Sequence, residues 1–121
     1  MAKKVLLVDD DEMWLSRVSA SFKETGYDLV TASDASQAMA AADNADLGLI
    51  VLDLNLQGES GLMLMKFLKQ NHPRVPILLF TCLDHDDKAI RTMLEMGADQ
   101  YLPKRSVEEL IVTVGAYFKR D

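Results

Sequence analysis

Cysteine is nearly absent from this chain: Cys82 is the only one in 121 residues, which rules out an intramolecular disulfide and a metal site built on cysteine pairs. That usage suits a reducing compartment, the cytoplasm by default. Histidine is almost as scarce. His72 and His85 share no spacing with each other or with a carboxylate that could orient them, so both are expected at the surface and neither as a phosphohistidine donor. Basic residues are outnumbered, 13 Lys and Arg against 19 Asp and Glu. Nucleic acid is therefore not expected as a direct ligand, because a phosphate backbone needs clustered Lys and Arg, and the pairs Lys3-Lys4 and Lys119-Arg120 are too short to reverse the balance. No run approaches the roughly 20 apolar residues of a membrane span. Only Val5 to Val8 separate Met1-Ala2-Lys3-Lys4 from Asp9, far short of the 7–15 or so apolar residues of a signal peptide. No membrane partner is expected.

What the chain does have is apolar residues, 49% of the total, enough at this length for a core in one domain, residues 1–121. They fall in an alternating strand and helix pattern. Val5 to Val8 reads as a first strand. Met13 to Thr25, with Trp14, Leu15, Val18 and Phe22 at helical spacing and Gly26 as a stop, reads as a first helix. Asp28 to Ala32 is a second strand, followed by an alanine-rich helix from about Ala35 to Asn44 that Ser33 or Asp34 can cap. Leu47 to Leu52 is a central strand, and a loop with Gly58 and Gly61 leads to a helix striped by Leu62, Met65 and Leu68 and ending near Pro73. A fourth strand spans Ile77 to Thr81. Asp84 to Asp87 begin a helix with Ala89, Ile90, Met93 and Leu94 inward and Gly97 at its end. Tyr101-Leu102 is a fifth strand, and Ser106-Val107-Glu108-Glu109 is a capping box opening a helix that buries Val107, Leu110, Ile111, Val114 and Phe118. Five βα units joined by right-handed crossovers give an α/β fold, an open parallel sheet with helices on both faces.

Each of four strands ends in polar chemistry: Asp9-Asp10, Asp53, Thr81, and Lys104 just past Tyr101-Leu102-Pro103. In a parallel sheet these ends share one edge, so three carboxylates, a hydroxyl and an ammonium would meet there. Two unit charges about 4 Å apart repel by about 4 kcal/mol at an effective dielectric near 20, so three carboxylates call for a cation or raised pKa values. Oxygen donors without His or Cys favour a hard ion, and few carboxylates with room for water and phosphate oxygens suit Mg2+ better than a Ca2+ cage. Lys104 could neutralise a phosphoryl group and Thr81 donate to it, leaving one carboxylate as the nucleophile of a phosphoryl transfer. Singly, the residues have plainer readings. Asp9 to Glu12 could be an acidic first turn favoured by the helix dipole, the role expected of Asp11 and Glu12, and Tyr101 a half-buried core aromatic.

Taken together, Asp9-Asp10, Leu52-Asp53-Leu54-Asn55-Leu56 with Gly58 and Gly61, Thr81, Gly97-Ala98-Asp99 and Pro103-Lys104 resemble the response-regulator receiver domain of two-component signalling, chemotaxis-regulator-like, over the whole chain. The resemblance implies a flavodoxin-like doubly wound (βα)5 fold with a five-stranded parallel sheet in the order 2-1-3-4-5. It implies that Asp53 is the phospho-acceptor, that Asp10 and Asp53 ligate Mg2+ with Asp9 holding it partly through water, and that Asn55 adds its backbone carbonyl. Thr81 and Lys104 would contact the phosphoryl group, with Tyr101 as the switch aromatic of a surface made by the fourth helix, fifth strand and fifth helix. The implied partners are a sensor histidine kinase or phosphotransfer protein and a downstream effector or output domain, the receiver being a monomer or a phosphorylation-dependent dimer. Its chemistry would be confined to its own phosphorylation and dephosphorylation, so it is not expected to be an enzyme. Three positions depart from the pattern: Gln57 where proline is frequent, Cys82 where Ala or Gly is usual, and apolar Leu83 where water access to the acyl phosphate is tuned.

The alternative is a receiver-like adaptor acting through protein contacts without phosphorylation, which would be expected to lack one of the acid, hydroxyl or lysine positions. A flavodoxin-like cofactor binder needs a Ser/Thr/Gly-rich loop where Asp9 to Glu12 would repel phosphate. A haloacid-dehalogenase-type phosphatase needs a second acid where Asn55 stands.

Overall fold

A computed structural model describes residues 4–43, 46–56, 58–81 and 87–119. Five parallel strands, β1 (Lys4–Val8), β2 (Asp28–Ala32), β3 (Leu47–Leu52), β4 (Ile77–Thr81) and β5 (Gln100–Pro103), form one sheet. Their order is 2-1-3-4-5. An antiparallel ladder of Asn55–Leu56 with Glu59–Ser60 stands apart from this sheet and was not legible in the sequence; counting its strands, the same order reads 2-1-3-6-7. The helices are α1 (Glu12–Phe22), α2 (Ala35–Ala42), α3 (Gly61–Asn71), α4 (Asp87–Glu95) and α5 (Val107–Phe118).

Strand periodicity splits the core in two. Leu6, Val8, Ile50, Leu52, Ile77 and Leu79 face α2, α3 and α4, where Ala38, Leu64, Met65, Leu68 and Met93 meet them. Val5, Leu7, Leu49, Val51, Leu78, Phe80 and Leu102 pack on the other side with Val18 and Phe22 of α1 and Leu110, Val114 and Phe118 of α5. Both faces of the sheet are covered, so its strands read as continuous apolar runs rather than alternating ones. Among the described residues no helix is long and apolar enough to cross a membrane.

The helix starts follow the capping logic. Asp11, Asp34, Ser60 and Ser106 are N-caps whose side chains accept from Met13, Gln37, Met63 and Glu109 N–H respectively. The helix ends differ from expectation in one case. α1 stops at Phe22 rather than Thr25, because the Thr25 hydroxyl and N–H both donate to the Phe22 carbonyl, and Gly26 is not in the left-handed conformation. Gly97 does end α4: its φ of 132° lets Ala98 N–H reach the Met93 carbonyl and Gly97 N–H the Leu94 carbonyl, a Schellman closure. Just beyond it, the Asp99 carboxylate accepts from Ile77 N–H and Lys69 Nζ, tying β5 to β4 and α3.

Three burial expectations need correction. Leu94 is exposed rather than inward, because Met93 takes the inward position and Leu94 is rotated about 100° from it. His72 is half-buried, with Nε2 3.5 Å from Asp43 Oδ1 where the C-terminal ends of α3 and α2 approach each other. Ile111 is half-buried. Lys3, Asn44, Gln57, Cys82, Leu83, His85, Arg120 and the acidic run 84–86 lie outside the described residues.

Candidate functional site

The site is made by strand ends. Val8 pairs with Leu52, so the next residues, Asp9 and Asp53, emerge side by side, with Asp53 N–H donating to the Val8 carbonyl at 3.0 Å. Thr81 pairs with Pro103, and Lys104 N–H donates to the Thr81 carbonyl at 2.9 Å, which holds Lys104 at the same edge. One carboxylate oxygen each from Asp9, Asp10 and Asp53 lie within 4.8 Å of one another. Gly61 keeps the loop after Asp53 closed: a Cβ there would collide with the Leu54 backbone.

Lys104 bridges two of the three acids. Its Nζ lies 2.5 Å from Asp9 Oδ2 and 2.9 Å from Asp53 Oδ2, and all three side chains are buried. The second oxygens are also occupied, since Asp9 Oδ1 accepts from Asp11 N–H at 2.9 Å and Asp53 Oδ1 from Asn55 N–H at 3.0 Å. Burial would lower the Lys104 pKa, but hydrogen bonds to Asp9 and Asp53 and their negative charges outweigh it and hold the ammonium above its ordinary value. Burial raises the Asp9 carboxyl above its ordinary range, although Lys104 and the Asp11 N–H pull the other way. Lys104 thus places one ammonium among three carboxylates.

These residues fit a hard divalent cation. The donors are oxygens, Asp10 is half-exposed where a hydrated ion could approach, and the N–H bond from Asn55 keeps its backbone beside Asp53. Thr81 gives an independent sign of a missing partner. Its side chain is fully buried, and its hydroxyl has no hydrogen-bond partner among the described residues, a condition that costs about 1–3 kcal/mol. Because Leu52 pairs with Leu79, Asp53 stands level with Phe80, and Thr81 one residue further out.

Asp9, Asp10, Asp53 and Lys104 are thus brought together, with Thr81 and Asn55 beside them. Tyr101 sits apart from them, half-buried in β5 opposite Leu79 and packed on the α2–α3–α4 side. In the sequence Trp14 reads only as one of the apolar residues at helical spacing in the first helix. The structure sets its ring 5.4 Å from Lys104 Nζ and edge-on to Phe80 at 5.5 Å. The available signal was its position one turn into a helix that starts at the acidic cluster.

Comparison with known proteins agrees with this geometry. Residues 5–114 match the response regulator receiver domain family. The alkaline phosphatase synthesis transcriptional regulatory protein PhoP of Bacillus subtilis is 38% identical over 123 residues, which cover 100% of this chain and 50% of PhoP. The chain therefore spans about half the length of such curated relatives. Among solved structures, the receiver domain of the Francisella response regulator 1452 superposes with a TM-score of 0.87 at 30% identity, covering 98% of each chain. A response regulator from Burkholderia pseudomallei, solved with a phosphorylated aspartic acid, calcium ion and citrate, gives 0.82 at 27% identity over 93% of this chain and 66% of its own. A family match across nearly the whole chain, on this sheet order and with this acidic edge, makes the protein a member of the response regulator receiver family of two-component signalling.

Proposed function

We propose that the receiver accepts a phosphoryl group on Asp53 from a sensor histidine kinase or phosphotransfer protein, in a Mg2+-dependent reaction held by Asp9, Asp10, Asp53 and the Asn55 carbonyl. The observation that carries this reading is the grouping of the buried Asp53 carboxylate with two further acids and the Lys104 ammonium. An Asp53 oxygen forms a bond to phosphorus as the donor's P–N bond breaks, and the imidazole leaves with the bonding pair. Bound Mg2+ supplies charge neutralisation for the phosphoryl oxygens. Lys104, already on Asp53, contributes a second positive charge, and the orphan Thr81 hydroxyl becomes a donor to a phosphoryl oxygen. The likeness to a solved regulator with a phosphorylated aspartic acid and a calcium ion supports the reading.

A phosphoryl group shifts a conformational equilibrium only through contacts that one state lacks. The Thr81 contact is such a candidate, with Tyr101 reporting it to the α4–β5–α5 surface and through that surface to an effector or output domain. Names such as transcriptional regulatory protein, given to relatives about twice as long, support an output domain of that kind. The receiver's chemistry stays on itself, in the cytoplasm where such kinases present phosphohistidine. Beryllofluoride with Mg2+ tests the reading as a phosphoryl analogue. Amide resonances near Asp53 and from Asp87 to Phe118 should move, and Thr81→Ala should keep the first set and lose the second. A wild-type spectrum unmoved around Asp53 sinks the proposal.

A further inference from the structure

Lys104 has a third neighbour that the receiver reading does not use. Its ammonium is held between Asp9 and Asp53, and the Trp14 ring covers it at 5.4 Å. The indole is itself fixed, because its contact with Phe80 is perpendicular at 88° and the Arg17 guanidinium lies 5.1 Å from its centroid. Phe80 is buried in the strand that ends in Thr81. A lysine chain with four rotatable bonds would otherwise be free to swing its ammonium out to water, yet this one is almost fully enclosed.

We propose that Trp14 is a positioning residue for Lys104: its indole face closes the solvent side of the ammonium and confines it to the line between Asp9 and Asp53. The proposal rests on the receiver reading for its consequence in phosphoryl transfer, but its geometric content does not. An aromatic face attracts a cation, more strongly when the cation is shielded from water. A phosphoryl oxygen arriving at Asp53 therefore meets a charge already in place rather than one that must be gathered from solvent. Met, Leu or Val at this position would fill the space without attracting the charge. Phe would keep part of the attraction.

Trp14 is the only tryptophan in the chain, so its emission reports this one place. In the metal-free protein, Lys104→Met should change the Trp14 emission maximum or intensity, and Lys104→Arg should largely restore it. Phosphorylation by acetyl phosphate with Mg2+, followed by intact mass, should then slow by about three- to tenfold in Trp14→Leu and less than about threefold in Trp14→Phe. The Mg2+ concentration giving half-maximal thermal stabilisation should stay the same in both. A general packing defect would instead move Mg2+ affinity along with rate, or impair both variants alike, and either result overturns the assignment. Emission indifferent to Lys104→Met also overturns it, whatever the phosphorylation result. A wild type that takes up no phosphoryl group while its emission still responds to Lys104→Met overturns the receiver reading and leaves the hold of Trp14 on Lys104 supported.

Discussion

Asp10→Asn should make the metal-free domain more stable and the Mg2+-bound domain less stable than wild type. The carboxylate oxygens lie within 4.8 Å of one another, and unit charges at that limit repel by about 3.5 kcal/mol at an effective dielectric near 20 and by about 1 kcal/mol in water. Asp10 is half-exposed and faces two acids, while Lys104 on those acids offsets one of the two repulsions. The net relief is then about 1 kcal/mol, toward the screened end of the range. An unfolding entropy of about 2.1 cal/mol/K per residue converts this, for 121 residues, to a rise in Tm of about 4 °C. Asparagine keeps the shape and one acceptor oxygen while removing the charge. Free Mg2+ at tenfold over its Kd should stabilise the wild type by about 1.4 kcal/mol and the variant, short of a ligand, hardly at all. Thermal melts in chelator and in Mg2+ should therefore rank the two proteins in opposite orders. An unchanged Tm in chelator together with a full Mg2+ response would refute the claim that these carboxylates act as one repelling, metal-binding group.

Lys104→Met leaves two buried acids without their counter-charge and should cost about 3 kcal/mol in chelator; adding Asp9→Asn should recover part of that loss in denaturant titrations. Thr81→Val deletes an unpartnered buried hydroxyl at constant shape, so the unliganded domain should hold its stability or gain up to about 1 kcal/mol, and a loss above 1 kcal/mol would show that the hydroxyl has a partner. The two raised pKa values set opposite ends of the pH profile. Asp9 is raised in the fold, so its contribution is present below its ordinary 3.8 and is lost as pH climbs through the elevated value. Metal-free stability should therefore fall above pH 4 more in the wild type than in Asp9→Asn. Lys104 is also raised, so its contribution is complete below its ordinary 10.5 and lost as pH climbs through the higher folded value. The stability gap between wild type and Lys104→Met should close only in that alkaline range.

Much of the fold was legible because each element carried local and periodic signals that agreed. The alternation of apolar runs with capped helices located all five sheet strands and the starts of α1, α2 and α5, and the polar residues ending four strands located the acidic edge. What escaped reading depended on contacts across the fold. The end of α1 was assigned to Gly26, but the Thr25 side chain competes for the last carbonyls first. The ladder at Asn55–Leu56 and Glu59–Ser60 is too short to show periodicity. Nothing in the spacing showed that Lys104 would sit on Asp9 as well as Asp53, because that depends on how far the Lys104 side chain reaches from the end of β5 past β4 and β3 to the end of β1. The contact of Trp14 with Lys104 escaped for the same reason. An aromatic at helical spacing reads as core, and only the packed structure shows that one side of its ring carries a charge.

The central claim is that Asp53 is the nucleophile of a metal-assisted phosphoryl transfer. Intact mass after incubation with acetyl phosphate tests it most directly, comparing wild type with Mg2+, wild type in excess chelator, and Asp53→Ala with Mg2+. Wild type with Mg2+ should gain the mass of one phosphoryl group, and neither of the other samples should. Equal addition in chelator, or addition that persists in Asp53→Ala, would contradict it.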